Sequence, residues 1–235
     1  MKRGAENIFI LMVKSILIFS LLIVSFLSFS QENIPIGTWR THLSYRNATA
    51  VAIAGTRVYC GTDGALFYFD RSDNQLNTLT KQDGLNDQDV RALGYSPTSK
   101  ALAIGYRSGK MDIIKENKIY PLNDIYLSKL FGSKTINHIS IYNHNAIISG
   151  DFGITVLDLI KMEIKESYIN IGPNGSLIQA YATAILDDSI YAATSKGILR
   201  ANLKDRRLMD SRSWSLVRIN DTLNNRIAKR VTAFK

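Results

Sequence analysis

Few residues in this 235-residue chain carry metal or acid–base chemistry: three histidines (His42, His138, His144) and one cysteine, Cys60. His138 and His144 stand six residues apart, with Asp151 as the next carboxylate downstream. A zinc site needs three or four ligands meeting at one tetrahedral point. A strand histidine, a turn histidine and a later turn carboxylate are expected to be structural, as is His42. The stretch Asp83-Gly84-Leu85-Asn86-Asp87-Gln88-Asp89 matches a calcium loop only in part. Asp63, Asp83, Asp87, Asp187 and Asp188 are expected to be turn residues, because Asp hydrogen-bonds to the backbone that follows it. Gly172-Pro173-Asn174-Gly175 lacks the Lys-Ser/Thr that completes a phosphate cradle. No paired carboxylates recur along the candidate inner strands, so glycosidic hydrolysis has little support. Cys60 has no intrachain partner and lies too far past the N-terminal apolar run to carry a lipid. A small core residue is its expected role. No catalytic residue, cofactor site or metal site is assigned. The aromatic residues Tyr59, Phe67, Tyr68, Phe69, Tyr191 and Trp214 are expected to pack the fold, with some of them lining a glycan groove as the alternative.

The N-terminus has a separate character. Lys2 and Arg3 precede an apolar run from Ser15 to Phe29, and small and polar residues follow at Ser28 to Gln31. That order marks a secretory signal over 1–31, cleaved near Ser30 or Gln31. The run is short for a membrane span. Losing Lys2, Arg3, Lys14 and Glu6 with the leader takes the formal charge from +9 to about +7. The basic residues are spread out, with local density at Lys204–Arg212 and Arg226–Arg230. A solvated basic surface is the plain expectation, and contact with an anionic polymer the sharper one. Export conflicts with nucleic acid as a partner.

The elements that hold these residues are strands in a repeat. Gly64, Gly109, Gly153 and Gly197 each open a short alternating strand, at intervals of 45, 44 and 44 residues. Two strands precede each glycine and a less regular one follows. The units span about 48–80, 90–122, 136–169 and 181–219, with a partial unit from Arg230. The fourth strands are expected at Leu76–Leu79, Lys118–Leu122, Glu163–Ile169 and Ser213–Ile219. A leucine recurs between units, at Leu85, Leu130, Leu177 and Leu223. Glycine is expected at each hairpin because it adopts positive φ without steric cost. Four antiparallel strands in about 44 residues make one β-propeller blade. A single four-stranded meander exposes two apolar faces, and stacking blades around an axis covers both. The expected fold is therefore all-β: four blades and the start of a fifth, an incomplete propeller. Trp39 and Leu43 fall in a lone strand before the first blade, of the kind a ring uses to close its last blade. These features predict an N-terminal fragment of a longer propeller.

Several segments carry a family resemblance. They are Trp39–Tyr45, Arg57–Thr62, Gly64–Asp70, Leu79–Asp87, Lys134–Asn137, Gly153–Leu159 and Ile171–Ser176. Together they resemble the N-terminal propeller of the PorZ family, from the type IX secretion system of Bacteroidetes. The Asp-Gly-Leu and Gly-Leu-Phe elements are shared with propellers of two-component sensors. The Trp-Arg-Thr-His-Leu and Ile-Gly-Pro-Asn-Gly-Ser segments are more specific. The resemblance implies a non-catalytic scaffold on the outer-membrane surface or in the periplasm. It implies a sortase complex as partner and anionic lipopolysaccharide as ligand. Family members carry a second propeller and a sorting domain, which these residues do not include. The alternatives are the ligand-sensing propeller of a two-component kinase and a carbohydrate-active propeller enzyme.

Overall fold

A computed structural model describes residues 12, 14–17, 46–129 and 132–217. The chain divides into two units, 1–42 and 43–235. In the first, residues 14–17 are helical. No helix among the described residues is long and apolar enough to cross a membrane. Most of the expected leader, the strand around Trp39, His42, Leu130, Leu223 and the partial blade from Arg230 lie outside the described residues.

The second unit holds four antiparallel sheets, each a meander with its strands in chain order. The first blade is β1 (Ala48–Ala54), β2 (Arg57–Thr62), β3 (Leu66–Asp70) and β4 (Gln75–Leu79). The second is β5 (Val90–Ser96), β6 (Ala101–Tyr106), β7 (Met111–Lys115) and β8 (Lys118–Leu122). The third is β9 (Ile136–Tyr142), β10 (Asn145–Gly150), β11 (Gly153–Asp158) and β12 (Glu163–Tyr168). The fourth is β13 (Ala180–Leu186), β14 (Ser189–Thr194), β15 (Gly197–Asn202) and β16 (Ser215–Leu216). The described residues form four blades of a β-propeller that do not close into a ring among themselves.

The second strands begin at Arg57, Ala101, Asn145 and Ser189, 44 residues apart each time. Each first strand carries a bulge at its start, which leaves Thr49, Arg91, Asn137 and Tyr181 out of the ladder. A bulge re-aims the side chain it carries. Thr49 Oγ1 donates to the Val90 carbonyl at 2.7 Å, and Asn137 Nδ2 to that of Ala180 at 3.0 Å. These bonds join the first strands of neighbouring blades.

Three apolar clusters fill the seams between blades. Tyr59 and Leu66 of the first blade meet Leu93, Leu102 and Ile104 of the second. Ala103 and Ile113 meet Ile139 and Ile148 at the next seam, and Ile147 and Ile154 meet Ile190 and Leu199 at the last.

The hairpin glycines obey the repeat with one exception. Gly153 and Gly197 sit at φ 109 and 104, each closing a two-residue loop, and Gly109 has φ 86 in a longer one. Gly64 is not at positive φ. There the Thr62 hydroxyl does the work: it accepts from the Gly64 and Ala65 amides at 3.3 and 2.9 Å and donates to the Ala65 carbonyl. Thr62→Val keeps the shape and removes those bonds. It is expected to cost about 1–2 kcal/mol in urea denaturation.

Two further expectations are corrected. The last strand begins at Ser215 rather than Ser213, because Ser211–Ser213 forms a 3-10 turn capped by the Asp210 side chain. The recurring leucine has no common role: Leu85 is buried but Leu177 is exposed, and its neighbour Ile178 takes the buried place.

Candidate functional site: a cleft between the first two blades

A cleft of about 240 Å³ opens between the first two blades. Strands β2 and β3 supply one wall, because residues of one sheet face align across the ladder. Tyr59 pairs with Tyr68 and Arg57 with Asp70. The tyrosine ring centroids lie 5.0 Å apart. The Arg57 guanidinium sits 4.9 Å from the centre of the Tyr68 ring and bonds Asp70 through Nε at 3.0 Å. It also donates to Asn117 Oδ1 at 2.7 Å, which ties it to the β7–β8 turn of the second blade. Ile114, Ile119 and Leu79 form the apolar lining, and Asp83 stands at the edge.

The electrostatics favour fixed charges over proton transfer. Hydrogen bonds from Ser72, and then from Arg57, hold the Asp70 carboxyl well below the usual carboxylate range. Burial pushes the Tyr59 hydroxyl up. Tyr59 is buried and the guanidinium lies over the Tyr68 ring, so the cleft presents the Arg57 guanidinium, the Asn117 carboxamide and the Asp83 carboxylate beside an apolar lining. Among the described residues that line the cleft there is no nucleophile–base pair.

The structure disperses the other candidates. His138 lies on β9 and His144 in the turn before β10, with Nε2 3.8 Å from Asp158. Asp151 follows the far end of β10 and accepts from Asn137 Nδ2 at 3.0 Å. An extended strand puts roughly 20 Å between His144 and Asp151. Among the described residues no three His, Cys, Asp or Glu side chains converge.

The carboxylates of 83–89 also diverge. Asp83 caps the 3-10 turn Lys81–Asp83 through the Thr80 amide and hydroxyl. Asp87 accepts from the Ser108 hydroxyl and pairs with Lys81, while Asp89 pairs with Arg91 and Arg107. Asp63 accepts from Asn47, Asp187 sits in a turn at φ 52, and Asp188 pairs with Lys204. Residues Pro173–Gly175 form a 3-10 turn. Cys60 is half-buried. Trp214 is buried, with Nε1 donating to the Leu208 carbonyl, and Arg200 lies over the Tyr191 ring.

Comparison with known proteins decides the family. The described blades match "TSS9, PorZ, N-terminal beta-propeller domain" over residues 58–215. The chain belongs to the PorZ N-terminal β-propeller family. No curated protein matches it in sequence. PorZ of Porphyromonas gingivalis, an essential surface component of that organism's type IX secretion system, is similar in structure. Its TM-score is 0.71 at 22% identity, over 84% of this chain and 26% of that one. This PorZ-family chain thus spans about a quarter of that protein. The extracellular domain of a hybrid two-component system from B. thetaiotaomicron shares the fold, with TM-score 0.55 and 15% identity over 77% of this chain and 23% of that one. So does the Myceliophteria thermophila Cps50 (Swd1) propeller, with TM-score 0.54 and 12% identity over 76% and 58%.

Sequence reasoning placed Tyr59 and Tyr68 among six aromatic residues expected to pack the fold, without choosing any of them for a groove, and did not single out Arg57 or Asn117. Their contact spans 60 residues. The blade period was the one signal that could have aligned the β2 start with the β7–β8 turn of the next blade.

Proposed function

We propose that this chain is an exported, non-catalytic propeller scaffold of the type IX secretion machinery, acting at the outer-membrane surface. Its leader over 1–31 is removed near Ser30 or Gln31. Membership of the PorZ family carries this reading. The mature charge of about +7 favours an anionic partner. The cleft of Arg57, Tyr59, Tyr68 and Asn117 supplies the sugar-facing part of a lipopolysaccharide contact, and protein partners belong to the sortase complex. The sensor-kinase alternative rests on fold likeness alone.

Titration with lipopolysaccharide carrying anionic or neutral polysaccharide tests the reading. Binding to the anionic form is expected, weakened about tenfold by Tyr68→Ala, which corresponds to about 1.4 kcal/mol. Equal affinity of the wild type and the variant would remove the cleft from the contact. Loss of cargo export when the gene is deleted is the expected cellular result, and unchanged export would overturn the scaffold role.

A further inference from the structure

Asp112 is the second residue of β7, paired with Ile104 and Pro121. The same place in the other blades holds Phe67, Thr155 and Leu199. A carboxyl has replaced an apolar or neutral residue at a blade seam, and its residue is 0% exposed. Among the described residues no cation pairs with it. Oδ2 accepts from the Tyr106 hydroxyl at 2.6 Å and from the Asn86 backbone N–H at 2.8 Å. Oδ1 is buried without a hydrogen-bond partner. Tyr106 is likewise particular to this blade, since its counterparts are Thr62, Gly150 and Thr194.

Asn86 belongs to the crossover from the first blade to the second. Its side chain donates to Asn123 Oδ1 at 2.8 Å and to the Met111 carbonyl at 3.3 Å. With the Asp112 bond, these contacts fasten the crossover to the second blade.

We propose that the Asp112 carboxyl is a proton-operated latch, which holds the crossover of residues 80–89 closed on the second blade when protonated and loosens it when ionised. An unpaired buried carboxylate is costly, and protonation removes that cost. The neutral acid keeps both hydrogen bonds on Oδ2 and carries its proton on Oδ1. The charged groups that bear on it are Asp87 of the crossover, which opposes ionisation, and Lys110 of the β6–β7 loop, which favours it.

Burial, opposed by the bonds from Tyr106 and Asn86, pushes the Asp112 pKa up to about 6. The folded value lies above the unfolded one, near 3.9. Between these values the folded state holds a proton that the unfolded state has lost, so this group makes stability fall as pH rises from about 4 to 6. Asp70, Asp87 and Asp158 are shifted downward and act at lower pH.

Hydrogen exchange of the 80–89 peptides and thermal unfolding, each at pH 7 and pH 5, test the latch. After correction for intrinsic exchange, protection of 80–89 should rise about tenfold at pH 5, and Tm by about 3–5 °C. Asp112→Asn keeps an acceptor for both donors and should abolish both responses. Tyr106→Phe removes a donor to the ionised form and should move the response to higher pH by about one unit. A pH response that survives in Asp112→Asn would overturn the proposal. So would unchanged protection of 80–89 in the wild type.

Discussion

Leu93→Asp is expected to unfold the protein, whereas Val51→Asp leaves its stability within about 0.5 kcal/mol. The two residues hold the same position in successive blades. Leu93 pairs with Ile104, and Val51 pairs with Cys60. Leu93 is 8% exposed and Val51 61%. An aspartate at 93 would sit in the seam among Tyr59, Leu66 and Leu102, with no cation in that cluster. Burial of an unpaired carboxylate there costs about 4 kcal/mol or more. At 51 the same group meets water. Ile53, Phe69 and Leu76 share that open face, at 62%, 38% and 65% exposure. Urea denaturation followed by circular dichroism measures both variants. Equal destabilisation would mean that the first blade is covered on both faces. The open face also makes Val51→Asp the more soluble protein, since exposed apolar sheet surface drives association.

That contrast marks what the sequence carries and what it omits. Alternation along Ala50-Val51-Ala52-Ile53-Ala54 says that two faces differ, and the 44-residue period says how the blades repeat. Neither says whether a neighbour is present, because burial belongs to the neighbour. Hairpins were legible at Gly153 and Gly197, where glycine is the one residue that takes positive φ freely. Gly64 misled, because its hairpin loop runs over four residues, 62–65, and the glycine within it is not at positive φ. The cleft was half legible. Its tyrosines stand out by type, but Arg57 and Asn117 meet only after two blades have stacked. Asp112 gave no signal at all, since a single carboxylate in a strand is ordinary until its surroundings close over it.

Glycines of another kind set how closely the blades approach, and they give the second large effect. Gly105→Ala is expected to destabilise the fold by about 1–3 kcal/mol, although it adds a single methyl group. A Cβ on Gly105 would come 2.5 Å from Ile136 Cγ2 and 3.2 Å from Ile136 Cβ, the first residue of the next blade's inner strand. Gly61 stands in the same relation to Val90, at 2.3 Å. At the third seam the corresponding positions are Ser149 and Ala180, both fully buried. Where the facing residue is a branched aliphatic, the blade presents glycine, and where it is alanine, a side chain returns. The third seam thus holds a working version of the exchange. Ile136→Ala alone should cost about 2–5 kcal/mol through the cavity it leaves. Combined with Gly105→Ala, it should cost less than the sum of the two, because the new methyl fills part of that cavity. A coupling energy of about 0.5–3 kcal/mol in a double-mutant cycle is the expected result. Strict additivity would mean that Gly105 and Ile136 do not set the spacing between the second and third blades.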